Sequence, residues 1–321
     1  MKHVFLFDPK AFSSQQWKMD AILDSIGQFF RTQGKQDVSI QLSRFRRNAL
    51  GILQEEAEKA KPGEPIRVYA IGGEEILYDC INSVTLFPNI QLAIVPYGET
   101  NDFLKIFEEE NVESFRDIPS LVQAEMLPTD VIRWGINYAL NSCYIGMSSA
   151  VSKKIKDLKS SLGKNAFIEF GLKILYFLNK VVIAFDNQIS KRQYKITVDG
   201  EDYSGSYSLI HIANGPYHRG KLTGLSDATP DDGLLDVALI KSSNPFKTLW
   251  AVYRYNRGKK PKNCSVVQGR RITIFSDNQM WIQLDNEYIQ DTDISLNVIH
   301  HAIQVAAVKG LYYPLASISA L

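Results

Sequence analysis

The sequence predicts a doubly wound α/β domain followed by a domain of antiparallel β structure. Three observations predict it. Within roughly the first 110 residues, short apolar runs alternate with helical patterns four times, the signature of a parallel sheet wound with helices. Beyond Leu127-Pro128-Thr129 the segments become strand-like and are separated by turn residues. At 321 residues the chain is also long for one core, so two domains are expected: 1–128, with 301–321 returning to it, and 129–300.

The first strand is the buried-type run 4–7, ended by Asp8-Pro9. Ser13-Ser14 is placed to cap a helix whose face carries Met19, Ile22, Leu23, Ile26 and Phe30. Residues 38–42 form the next strand, and 49–60 a charged helix that Lys61-Pro62-Gly63 ends. Ile66, Val68 and Ala70 then run into Gly72-Gly73, after which Ile76, Leu77, Cys80, Ile81 and Val84 recur at helical spacing. Residues 92–95 form a fourth run, closed by Pro96-Tyr97-Gly98, and Asn101-Asp102 opens a helix with Phe103, Ile106 and Phe107. Both glycine turns aim helix N-termini at one edge of the sheet, where open α/β folds hold ligands and peptide N–H groups suit phosphate. Glu74, Glu75 and Glu99 argue against this, because they put carboxylates where an anion would sit.

The second half carries predicted strands at 131–139, 196–198, 207–213, 235–240, 272–275 and 280–284. Asp199-Gly200, Asp232-Gly233 and Asp277-Asn278 are read as turns between them. Helical inserts fall at 151–180 and 245–255, and the apolar tail 300–308 is expected to rejoin the first domain.

A net charge of +1 gives no global attraction to nucleic acid or to an anionic membrane. Cys80, Cys143 and Cys264 are scattered singly, which predicts reduced thiols and neither a disulfide frame nor a zinc site. The apolar run before Asp8-Pro9 is too short for a signal peptide, and the apolar stretch 174–185 is short for a span and interrupted by Lys180. A cytoplasmic protein is therefore expected.

Each candidate site has a plain structural alternative. Gly72-Gly73 permits the close backbone approach of a phosphate cradle, and serves equally as a tight strand-to-helix connection. Walker A and G-x-G-x-x-G are both absent. Pro230-Asp231-Asp232-Gly233, with Asp227 and Asp236, gathers four carboxylates in ten residues. That is a loop for a hard divalent cation or a solvated hairpin turn. Asp285-Asn286-Glu287 offers a general base at a strand end. His300 and His301, being adjacent, are not expected to present both rings to one face, and His211 and His218 lack matching carboxylates. Lys153, Lys154, Lys156 and Lys159 form one basic patch, and Arg257, Lys259, Lys260 and Lys262 another. Either is a solvated face or a contact for anionic headgroups.

Taken jointly, these segments resemble the diacylglycerol-kinase catalytic family, the bacterial soluble lipid kinases in particular. Residues 70–84, AIGGEEILYDCINSV, resemble its GGDGT-x-NE motif and helix; 95–103, VPYGETNDF, resemble P-x-G-T-x-NDF. Residues 212–237, IANGPYHRGKLTGLSDATPDDGLLDV, resemble its ANG to DDGLLDV stretch, and 285–287, DNE, stand where the family has DGE. The resemblance implies an NAD-kinase-like α/β domain followed by a β-sandwich, with ATP and Mg²⁺ as cofactors. It implies Asp285 as general base with Glu287 beside it, and a cation held by Asp232 and the carbonyls of Thr229 and Leu234. Nucleotide contacts would fall at Asp8, Ser43, Gly72, Gly73, Glu74, Glu75, Ile76, Glu99 and Asn101. The partner expectations are a membrane lipid such as diacylglycerol, peripheral membrane contact and a homodimer, without nucleic acid.

The chain departs from the family pattern within the nucleotide loops. Glu74 replaces the Asp of GGDGT, Glu75 its next Gly, Ile76 its Thr, and Tyr78-Asp79 the NE pair. Glu99 replaces a Thr in the second loop, Asp8-Pro9-Lys10-Ala11-Phe12 replaces N-P-x-x-G, and Asn286 the Gly of DGE. Two unit charges about 4 Å apart repel by roughly 4 kcal/mol at an effective dielectric of about 20. Carboxylates facing a triphosphate would therefore weaken it by several powers of ten. Two readings follow: an ATP-dependent lipid kinase with impaired or altered activity, or a non-catalytic lipid-binding or regulatory relative. A donor less anionic than a nucleotide is a third.

Overall fold

The computed structural model describes residues 1–321 except 14, 35–36, 62, 99, 163–165 and 315–321. The first half runs β1 (Lys2–Phe7), α1 (Gln16–Thr32), β2 (Asp37–Leu42), α2 (Asn48–Lys59), β3 (Ile66–Gly72), α3 (Glu74–Val84), β4 (Ile90–Pro96) and α4 (Ile118–Val122). Short 3₁₀ turns at Pro9–Phe12, Phe103–Phe107 and Glu109–Arg116 lie between them. The strands pair in parallel in the order β2-β1-β3-β4, with Val4 opposite Val68 and Val68 opposite Leu92. β1 and β3 are buried along their whole length, as central strands covered on both faces must be. Helix α1 buries Ile22, Ile26 and Phe30, and the Phe5 and Tyr69 rings stack at 4.2 Å.

The second half begins with β5 (Glu125–Trp134), β6 (Asn137–Ala139) and β7 (Ser142–Gly146), then α5 (Met147–Leu162), α6 (Ala166–Phe185) and α7 (Asn187–Ser190). Strands β8 (Gln193–Val198), β9 (Glu201–Asp202), β10 (Gly205–Ala213), β11 (Tyr217–His218), β12 (Lys221–Leu222) and β13 (Leu235–Lys241) follow. Helix α8 (Pro245–Tyr255) precedes β14 (Cys264–Gly269), β15 (Arg271–Leu284) and β16 (Glu287–Ala307). Pairing is antiparallel from β14 through β13, β10, β7 and β15 to β16, and β8 pairs both β10 and β15. Ile132, Ile145, Ile196, Ile212, Leu239 and Ile282 belong to its core. The fold is thus an α/β region followed by a large antiparallel β region, as the sequence predicts.

Two strands link the regions. β5 and β16 pair with each other, and the end of β16 pairs in parallel with β4 through Gln304 opposite Gln91 and Val305 opposite Leu92. Their register shifts between Ile299 and Ile303, where His301 has φ 49°.

Several expectations are corrected. The N-cap of α1 is Gln15, which makes no side-chain cap; the Ser13 hydroxyl donates to Lys10 O instead, and Ser14 lies outside the described residues. The predicted strand 131–139 is a hairpin, broken where Gly135 takes φ 58° and Trp134 pairs with Asn137. The predicted helix 151–180 is the separate α5 and α6. Asp277-Asn278 is no turn: it lies inside β15, in an irregularity between Phe275 and Met280. Both flanks pair with the same strand, β16, so the extra residues are absorbed as a bulge. The helix expected after Asn101-Asp102 is the 3₁₀ turn Phe103–Phe107.

Candidate active-site cleft

Three backbone bends meet at the C-terminal ends of β1, β3 and β4. The Tyr97 N–H donates to Gly72 O at 2.8 Å. A Cβ on Gly98 would lie 2.5 Å from Gly73 Cα, and one on Gly72 would lie 2.8 Å from Asp8 Cβ. Glycine at these positions is what lets the bends touch. Among the described residues, no side chain caps α3 at its N-cap, Gly73.

The carboxylate of Glu74 reaches sideways from α3 to the second bend. Its Oε1 accepts from the Asn101 N–H at 3.0 Å, the Asp102 N–H at 3.1 Å and the Thr100 hydroxyl at 3.2 Å. Burial, with the charges of Asp102 and Asp285 nearby, pushes its pKa up to about 7. Glu75 points elsewhere: it is exposed and faces Lys10, with 3.8 Å between Oε2 and Nζ. The α3 backbone turns positions 74 and 75 to different sides, so the Glu75 carboxylate lies beside Lys10 and that of Glu74 beside the second bend. Glu99 lies outside the described residues.

Among the other nucleotide candidates, Asp8 follows β1 and Ser43 follows β2. Asp8 Oδ1 accepts from the Lys10 N–H at 3.0 Å, and the buried Ser43 donates its N–H to Phe7 O at 2.8 Å. Ile76 is buried in the core, and Asn101 has φ 96° at the bend. Gly72, Gly73, Glu74 and Asn101 also line a small cavity of about 10 Å³ with Ala70 and Phe103, roughly room for one water. At the NE-pair positions, Asp79 accepts from the Arg47 N–H at 2.6 Å and Tyr78 is buried.

Asp285 comes from the other wall, at the β15–β16 turn, with φ 47°. Its two oxygens accept from three consecutive N–H groups: Leu140 at 2.7 Å, Asn141 at 3.1 Å and Ser142 at 2.7 Å. Burial raises its pKa to about 6 despite those donors, each of which lowers it. Glu287 pairs with Arg46, tying the two walls together.

Asp102 and Arg219 complete the cleft, and neither was singled out from sequence. Asp102 accepts from the Arg219 N–H at 2.6 Å and the Gly220 N–H at 2.5 Å, and burial raises its pKa. The Arg219 guanidinium lies 5.4 Å over the Tyr176 ring and donates to the Tyr288 hydroxyl at 3.4 Å. The signal for Asp102 was its place inside NDF; Arg219 carried none beyond lying in the 212–237 stretch.

At the acidic loop, Asp232 Oδ1 accepts from the Leu234 N–H at 2.9 Å, with the Thr229 hydroxyl beside it. The centre of this region is Asp130, fully buried, which sequence reading missed. It accepts from the Gly233 N–H at 2.7 Å, the His301 N–H at 2.7 Å and His300 Nδ1 at 2.8 Å. The His300 and His301 rings stack with centroids 3.6 Å apart, which overturns the expectation that they diverge. The left-handed backbone of His301 removes the strand alternation that the expectation assumed. Asp130, His300 and His301 hold ligand atoms within 4.8 Å of one another, so they could converge on a metal ion. His211 is a core residue, stacked on Tyr144 and bonded to the Tyr255 hydroxyl, and burial holds its pKa down at about 3.

Residues 141–307 match the family model described as the YegS C-terminal NAD kinase beta sandwich-like domain. A provisionally named lipid kinase of Staphylococcus aureus (strain bovine RF122 / ET3-1) is 27% identical over 282 residues, covering 85% of this chain and 88% of that protein. A counterpart from Staphylococcus aureus (strain Newman) matches to the same extent. Among solved structures, a diacylglycerol kinase from Bacillus anthracis str. Sterne aligns with a TM-score of 0.68 at 18% identity, over 97% of this chain and 98% of that one. A provisionally named diacylglycerol kinase from the same organism aligns with a TM-score of 0.72 at 19% identity, with the same coverage. These structural likenesses concern the fold.

Proposed function

The chain belongs to the diacylglycerol-kinase-like family, and we propose that it is an ATP-dependent lipid kinase with a rebuilt nucleotide side. The observation that carries this reading is the convergence of the two glycine bends with Asp285 on one cleft, close enough for Asp285 to raise the pKa of Glu74. In this reading the acceptor is the hydroxyl of a membrane lipid such as diacylglycerol. The hydroxyl oxygen forms a bond to the γ-phosphorus, the bond from that phosphorus to the bridging oxygen breaks, and ADP leaves. The hydroxyl proton passes to Asp285, whose pKa of about 6 leaves it ionised and basic near neutrality. The three N–H donors from Leu140 to Ser142 hold the carboxylate in position for this.

Mg²⁺ fits the residues present. Glu74, Asp102 and Asp285 are hard oxygen donors with raised pKa values, and Glu74 is raised partly by the charges of the other two. Of the three, Asp102 would hold the ion together with the phosphates, Asp285 being kept as the base and Glu74 by the second bend; when bound, the ion supplies charge neutralisation for the phosphates. Peripheral attachment at the inner membrane face is part of the same proposal.

A second reading, a non-catalytic lipid-binding or regulatory relative, is favoured by Glu74. Its carboxylate already takes the Asn101 and Asp102 N–H groups that a phosphate would use. Thermal unfolding with millimolar Mg-ATP, and phosphate transfer to diacylglycerol in mixed micelles, separate the two. The kinase reading expects a rise in Tm and labelled phosphatidic acid. Neither effect, with intact protein, would leave the second reading.

A further inference from the structure

Helices α6 and α8 pack against each other and each leaves an apolar stripe uncovered. On α6, Leu172, Ile183 and Ala184 are buried, while Ile174, Leu178, Val182 and Phe185 point outward, with Val182 66% exposed. Their spacing of four, four and three residues is one helix face. On α8, Ala251, Val252 and Tyr255 are buried, while Phe246 is 73% and Trp250 61% exposed, with Tyr253 beside them. The two stripes are one surface, because the Phe185 and Phe246 rings meet edge to face at 5.7 Å. Trp250 and Tyr253 stack at 5.6 Å within it. Contiguous apolar surface of this kind marks an interaction site.

Charge identifies the occupant. Every charged residue from 245 to 262 is Lys or Arg. The Arg257 guanidinium lies 4.8 Å over the Tyr253 ring, at the edge of the stripe. Among the described residues, the acidic partner shown for this group is Asp227, 3.8 Å from Lys260. Hydrocarbon at the centre, Trp and Tyr beside it and cations at the rim is the composition of a surface that lies in a lipid headgroup layer. The other face of α6 reaches the cleft, where Tyr176 lies under Arg219 and Arg219 contacts Tyr288.

We infer that the outer faces of α6 and α8 form the surface that docks on an anionic bilayer, bringing the cleft beside lipid headgroups. The inference rests on the lipid-kinase reading for its purpose, since a membrane-borne acceptor requires such a face. Its occupant is the bilayer, not a second copy of the chain: the cations would oppose their own copies across a two-fold interface.

The full chain, without nucleotide, is mixed with vesicles of phosphatidylglycerol and phosphatidylcholine or of phosphatidylcholine alone, and sedimented. Binding to the anionic vesicles is expected, weakened by salt. Val182→Glu with Trp250→Glu should weaken binding about tenfold or more, and Lys259→Glu with Lys262→Glu should weaken it for anionic vesicles. These positions lie at the surface, and far-ultraviolet circular dichroism checks that the variants fold. No binding by the wild type, or unchanged binding by the Val182→Glu/Trp250→Glu variant, would overturn the inference. So would a wild-type dimer in sedimentation velocity that the same variant splits while vesicles stay unbound. Transfer to a short-chain, water-soluble diacylglycerol is assayed alongside. Wild-type transfer without wild-type vesicle binding condemns this surface alone, whereas wild-type vesicle binding without transfer condemns the kinase reading alone.

Discussion

Glu74 and Asp285 are carboxylates on opposite walls of one cleft, and each accepts hydrogen bonds from three donors. The donors differ in kind. Those of Asp285 are consecutive N–H groups where β6 leads into β7, within its own region, so they fix the carboxylate without engaging the opposite wall. Those of Glu74 come from the neighbouring bend, so its carboxylate fills a place that a ligand's oxygens would otherwise take. In the kinase reading, the same chemistry prepares a base on one wall and obstructs an anion site on the other. Asp285 stands at the family's DGE position, whereas Glu74 lengthens the GGDGT carboxylate by one methylene, enough to reach across the bends.

The largest effect is expected from Asp285→Asn. General-base catalysis contributes about 10²–10⁴-fold, so transfer to diacylglycerol should fall by that factor in a steady-state assay, with Mg-ATP binding retained. A kcat within about threefold of wild type would remove Asp285 from the chemistry and leave it a turn lock. Glu74→Gln should act in the opposite sense. The amide keeps an oxygen for the Asn101 and Asp102 N–H groups but removes the charge, so Kd for Mg-ATP should fall about tenfold or more in calorimetry. Weaker binding would mean that Glu74 serves the nucleotide through Mg²⁺, and the contrast between the walls would disappear.

Much of this contrast was legible in the sequence. The glycine bends, the acidic residues beside them and Asp285 could be named because turn chemistry and motif spacing are local. The direction of each side chain was not local. Glu74 and Glu75 are neighbours, and only the packed α3 backbone decides that one turns to the second bend and the other to Lys10. Asp130 was missed for the same reason: its partners Gly233, His300 and His301 are over one hundred residues away. The His300–His301 stack depends on a bulge set by pairing with β5, which strand periodicity does not encode. The strands and helices themselves follow the hydrophobic periods closely, and the errors fall at turns such as Asp277-Asn278, where tertiary pairing overrode a good turn sequence.

A pH series sharpens the comparison with a smaller effect. Burial raises Glu74 to about 7 and Asp285 to about 6, so the native chain holds these protons more tightly than the unfolded one. Their contribution to stability is complete below the unfolded carboxylate range and is lost as pH rises through 6 to 7. Asp236, raised to about 6 by burial, adds in the same direction. Melting temperature should therefore fall between about pH 5 and pH 8, with a flatter profile in Glu74→Gln. Added Mg²⁺ should restore part of the loss at the alkaline end. An unchanged slope in Glu74→Gln would place the titration on Asp285 and Asp236 and free Glu74 of the charge conflict assigned to it.

The smallest effect is expected at the neighbouring residue, and that makes it the strictest control. Glu75 is exposed, and its pairing with Lys10 at 3.8 Å is of a kind that contributes about 0–1 kcal/mol. A carboxylate in the first turn of α3 adds a comparable amount through the helix dipole. Glu75→Gly should therefore lower Tm slightly and change the Mg-ATP Kd by less than about threefold, although it restores the residue of the GGDGT pattern. If it instead tightens Mg-ATP as much as Glu74→Gln does, then charge near the bends matters regardless of where the side chain points. The obstruction would then belong to the whole acidic loop, and the hydrogen bonds from Glu74 to the second bend would be its consequence, not its cause.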